Sequence, residues 1–123
     1  MRCWCGQALL VREPLPNRRS ATNISFEHNG LHFNATVGRS TPSAPITEIF
    51  LNIAPERGGK YGSEADLAAR DVAVAVSLAL QFGVPLAQIQ RSMGRDLDGK
   101  PSTPMGQLLD ILLEEEAPRA AKT

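Results

Sequence analysis

The chain has 123 residues, 42% hydrophobic and 21% charged, with 13 basic side chains against 13 acidic. That is the size and make-up of one soluble domain, able to bury a core without disulfide or metal staples. A formal net charge of zero argues against a general nucleic-acid or membrane-surface binder, and no apolar run is long enough to span a bilayer.

Residues 1–20 read as a flexible arm, with Pro14, Pro16, Asn17, Arg18 and Arg19 in a stretch without sustained periodicity. Its apolar run, Ala8 to Val11, is too short for the core of a signal peptide. Cys3 and Cys5, one residue apart, cannot build a disulfide framework and fit a reducing compartment. The expected location is the cytoplasm.

Asn29-Gly30 between two alternating runs predicts a tight type I′ hairpin. With that pair as the loop, Phe26 faces Phe33, Ile24 faces Ala35 and Thr22 faces Val37 on one side. Glu27 and His32, Ser25 and Asn34, and Asn23 and Thr36 share the other. A third strand over Ile46 to Ile53 turns Ile49, Leu51 and Ile53 one way and Phe50 the other.

Ser63-Glu64-Ala65-Asp66 is a capping sequence, opening a helix to about Phe82 that Gly83 and Pro85 stop. Asp66, Arg70, Ser77 and Gln81 form one narrow polar stripe on a helix otherwise rich in Ala, Val and Leu. Such a helix is buried on several sides, with the stripe as its tolerant line. Gln81→Glu is therefore expected to stay within about 0.5 kcal/mol of neutral.

A short second helix is expected from Pro85 to Met93, then turn chemistry from Asp96 to Pro101. Thr103 caps a last helix with Pro104 at its first position and Leu108, Leu109, Ile111, Leu112 and Leu113 as its apolar side. Glu114 to Glu116 oppose the helix dipole, so the domain is expected over 21–113 and a disordered tail over 114–123. Strands first and helices after give an α+β class. The expected architecture is a three-stranded antiparallel sheet, N-terminal hairpin plus one strand, packed on two to three C-terminal helices.

No nucleophile, base and orienting group assemble, so no catalytic residue is assigned. Ser77, inside the core helix, reads as bonded back to its own helix. Cys3, Cys5 and His28 are metal-type ligands, but one residue between cysteines is tighter than structural zinc takes. The hairpin register also puts His28 and His32 on opposite faces, so no metal is expected. Asp96, Asp98 and Gly99 lack the further ligands of a calcium loop.

The segment Arg57-Gly58-Gly59-Lys60-Tyr61-Gly62-Ser63 leads from a strand into a helix N-terminus, where free N–H groups and the dipole suit an anion. It fits neither the Walker nor the Rossmann spacing. Arg57, Gly58, Gly59, Lys60, Gly62 and Ser63 are the candidate phosphate-binding residues, with Glu64 and Asp66 as competing charge in the first turn.

Glu48-Ile49-Phe50-Leu51-Asn52, Gly59-Lys60-Tyr61-Gly62-Ser63, Asp66-Leu67-Ala68-Ala69-Arg70-Asp71 and Ser77-Leu78-Ala79-Leu80-Gln81-Phe82-Gly83-Val84-Pro85 together resemble the TSCPD domain. The resemblance covers roughly residues 15–113. That domain lies near the C-terminus of adenosylcobalamin-dependent, class II, ribonucleotide reductases and also forms small free-standing bacterial proteins. The chain departs from the reductase version at its naming motif, offering Pro101-Ser102-Thr103-Pro104 without cysteine. Neither metal binding nor thiol relay carries over, and the radical-bearing barrel is not in this chain. The resemblance implies a non-catalytic binding or accessory module linked to nucleotide or nucleic-acid metabolism, taking a nucleotide or an unknown protein partner, with no cofactor. The alternative is a homo-oligomerising or regulatory protein-interaction module, with Phe50 and the aliphatic last helix as its interface.

Overall fold

A computed structural model describes residues 12, 15, 17 and 19–122. Most of the expected arm, including Cys3 and Cys5, lies outside the described residues. Asn29 at φ 50° and Gly30 at φ 83° take the two left-handed positions of the turn, the reason this dipeptide sits there. The turn joins strand β1 (Ser20–His28) to strand β2 (Leu31–Arg39). The register is the expected one, Phe26 against Phe33, Ile24 against Ala35 and Glu27 against His32. Strand β3 (Ile46–Ile53) pairs antiparallel with β2, Ile49 facing Val37 and Leu51 facing Ala35, so the sheet order is β1-β2-β3.

Period-two alternation gathers Phe33, Ala35, Val37, Ile49, Leu51 and Ile53 on one buried face. Helices α1 (Glu64–Gln81) and α3 (Pro104–Lys122) cover it, and α2 (Leu86–Ser92) packs on α3. Leu108, Leu109 and Leu112 of α3 enter the same core as Ala69, Ala73, Val76 and Leu80 of α1. The fold is an α+β layer: sheet on one side, helices on the other.

Helix α3 does not stop at Leu113, and no disordered tail begins at residue 114, because the helix runs on to Lys122. Glu and Ala are strong helix formers, and Arg39 Nη1 donates to Glu116 Oε1 at 2.7 Å, tying the expected frayed end to β2.

The main difference from expectation is the rotation of α1. Its polar stripe points inward, with Asp66, Ser77 and Gln81 all buried. The reason lies in β3, an edge strand whose outer N–H and C=O groups need partners. Helix α1 runs along that edge and supplies them. Asp66 Oδ1 accepts from the Ile53 N–H at 2.9 Å. Ser77 Oγ accepts from the Ile49 N–H at 2.8 Å and donates to the Ile49 carbonyl at 3.0 Å. Gln81 Nε2 donates to the Thr47 carbonyl at 3.1 Å. Ser77 is thus not bonded back to its own helix, and Gln81→Glu is no longer a neutral change, since it puts a carboxylate against a carbonyl.

Ser77→Ala leaves both Ile49 groups without their partner and is expected to cost about 1–3 kcal/mol. Urea unfolding measures it, and an unchanged midpoint would mean the edge of β3 is satisfied some other way.

Candidate functional site

The Gly-rich connection begins with a 3-10 turn, Pro55–Arg57, and enters α1 through Ser63. Gly59 sits so close to the end of β3 that a Cβ there would lie 2.7 Å from Ile53 Cγ1 and 2.8 Å from the Ala54 carbonyl oxygen. Glycine is required at that position by close approach rather than by a ligand. Arg57 and Lys60 are exposed. Several of the N–H groups that suit an anion have partners inside the protein. The N–H groups of Gly58 and Gly59 donate to Pro55 and Ala54, and that of Ser63 to Lys60, each at 3.1 Å. Gly62 N–H donates to Asp66 Oδ2 at 2.9 Å.

Asp66 therefore brings its own carboxylate to the place an external anion would take. Its side chain is fully buried and also meets Arg70 Nη2 at 3.0 Å. Burial by itself would raise its pKa. The Ile53 and Gly62 N–H groups and the Arg70 guanidinium outweigh that, holding the carboxyl below its ordinary value of 3.8. Arg70 is held in turn by Tyr61, whose ring centroid lies 4.4 Å beneath the guanidinium carbon. Ser63 caps α1 as expected, accepting from the Asp66 N–H at 3.3 Å. The Asp66 side chain reaches past Ser63 to Gly62 and across to β3.

With the polar stripe turned inward, apolar side chains of α1 face out. Leu67 is 51% exposed, Val74 59% and Leu78 40%. They recur at i, i+7 and i+11, one stripe beside Arg70 and Gln81. Phe50, expected to point away from the core, is 53% exposed on the adjoining face of β3. Between strand and helix lies a groove of 410 Å³, lined by Phe50, Leu51, Val74 and Leu78. Arg12 closes one end of it through a bond from Nε to Gln81 Oε1. The aliphatic side of α3, the other expected interface, is largely core: Leu108, Leu109 and Leu112 are buried. Sequence reasoning singled out Phe50 but missed Leu67, Val74 and Leu78. Their common spacing was the available signal.

His28 is buried on the core side of β1, its Nδ1 2.6 Å from Gln107 Oε1 and its Nε2 3.4 Å from the Ser102 carbonyl. The metal alternative of Cys3, Cys5 and His28 rests on two cysteines outside the described residues. Among the described residues no three of His, Cys, Asp and Glu come together, and no helix is long and apolar enough to cross a membrane. The Asp96–Pro101 turn is pinned to α3, with Arg95 Nη2 donating to Asp110 Oδ1 at 2.6 Å. No family model, curated protein or solved structure matches the chain.

Proposed function

We propose that this chain is a non-catalytic protein-interaction module that self-associates through the α1–β3 face. The observation that carries the reading is the outward apolar stripe Leu67, Val74 and Leu78 beside exposed Phe50. Exposed apolar side chains gathered on one face mark interaction sites more often than singly scattered ones do. A second copy is the simplest occupant, because an isologous interface buries the same patch twice and a net charge of zero leaves no long-range repulsion between copies. Nucleotide binding at the Gly58–Ser63 loop has less support, since Gly58, Gly59, Gly62 and Ser63 each donate to a group of the protein itself. An accessory place in nucleotide metabolism rests on the TSCPD resemblance alone.

Val74→Glu tests the reading, because an exposed position accepts the charge without harm to folding. Sedimentation at about 100 μM is expected to give a dimer for the parent chain and a monomer for the variant. A parent chain that stays monomeric at that concentration would overturn self-association.

A further inference from the structure

The molecule holds a second, larger cavity of 690 Å³ where the β2–β3 connection, the end of α1 and α3 meet, with Gln81 on the walls of both it and the Phe50 groove. Its walls are mostly apolar, with Leu80, Val84, Leu86 and Leu113 among them. Volume and lining fall within the range of small-molecule sites. One polar group on its wall stands out. Arg39 is only 9% exposed, and its Nη1 donates to the Ala44 carbonyl at 2.9 Å and to Glu116 Oε1 at 2.7 Å. No further hydrogen bond of this guanidinium forms among the described residues.

The geometry points to a binding site for an apolar monocarboxylate, its carboxylate on Arg39 and its hydrocarbon part against Leu80, Val84 and Leu113. A guanidinium offers a planar fork that matches a carboxylate, and Nε and Nη2 form the fork left over once Nη1 is used. A phosphate dianion fits poorly, because Glu116 places one negative charge on the same guanidinium and the apolar walls solvate nothing. An amine would find Glu116 already paired. The ligand carboxylate and Glu116 thus share Arg39 from two sides, and Glu116 weakens the binding it borders.

The test is titration of octanoate, octanol and octylammonium against the amide NMR spectrum of the full chain. Octanoate is expected to shift Ser40, Ala44, Thr47 and Val84 first, with octanol weaker by about tenfold and octylammonium without effect. Arg39→Met should weaken octanoate by about tenfold or more, and Glu116→Gln should tighten it several-fold by removing the like charge. If Arg39→Met does not fold, the Glu116→Gln gain and the octanoate–octanol difference decide by themselves. Equal binding of octanol and octanoate, tighter binding of octylammonium, or no cavity shifts at about 10 mM octanoate would each overturn the site.

Discussion

Asp66→Ala is expected to destabilise the domain by about 3–5 kcal/mol, a loss large enough to show as partial unfolding at 37 °C. The carboxylate is fully buried and joins three elements at once: the end of β3 through Ile53, the Gly-rich loop through Gly62, and its own helix through Arg70. Removing it strands two backbone N–H groups and leaves Arg70 without its counter-charge, retained only by the Tyr61 ring. Asp66→Asn separates charge from shape, since an amide can accept from only one side. The pH dependence follows in sign. A carboxyl whose folded pKa lies below its unfolded value stabilises the fold fully above the unfolded value, 3.8, and loses that contribution as pH falls through the folded one. Asp66→Asn should therefore lower stability at pH 7 and flatten the acid limb of the stability curve below about pH 4. If parent and variant lose stability in parallel on acidification, Asp66 is not the group that titrates.

The parts of the fold that were legible in the sequence are those whose determinants are local. Asn29-Gly30 fixes both turn type and register, and period-two alternation then sorts the hairpin's faces without reference to the rest of the chain. Ser63, Thr103 and Pro104 announce their helices for the same reason: Thr103 Oγ1 accepts from the Gly106 N–H at 3.1 Å, within one turn. Direction was not legible. A polar stripe on an apolar helix says how wide the odd face is, not whether water or an unpaired strand edge lies opposite it. Here Asp66, Ser77 and Gln81 of the stripe answer Ile53, Ile49 and Thr47 of β3, a match between segments apart in sequence that a helical wheel cannot display. The end of α3 was missed likewise, because its partner, Arg39, lies on β2.

The candidate site was half legible by the same logic. Gly-rich composition at a helix N-terminus signals free N–H groups, and it does so whether the anion is foreign or built in. Asp66 was visible as the fourth residue of the capping sequence, but its reach to Ile53 depends on α1 lying beside β3. Once α1 is placed there, the exposure of Leu67, Val74 and Leu78 follows from 100° per residue, and the interaction face is a consequence of the edge it protects.

Leu80 and Leu78, two residues apart on α1, should respond to the same substitution in opposite ways. Leu80 is 8% exposed within the core cluster, whereas Leu78 is 40% exposed on the groove side of the helix. Leu80→Asp removes a packed side chain and buries a carboxylate with no partner in place, an expected cost of about 4 kcal/mol or more. Against a typical total of about 5–15 kcal/mol, that leaves the domain largely unfolded or barely stable. Leu78→Asp places its charge in water, and folding should change by about 1 kcal/mol at most. Its effect belongs instead to association, where the sedimentation shift should match that of Val74→Glu. Guanidinium unfolding of the two variants side by side reads the rotation of α1 directly. Loss of the fold in Leu78→Asp with Leu80→Asp spared would place the polar stripe toward water, undoing both the edge-capping role of Ser77 and the docking face built on Phe50.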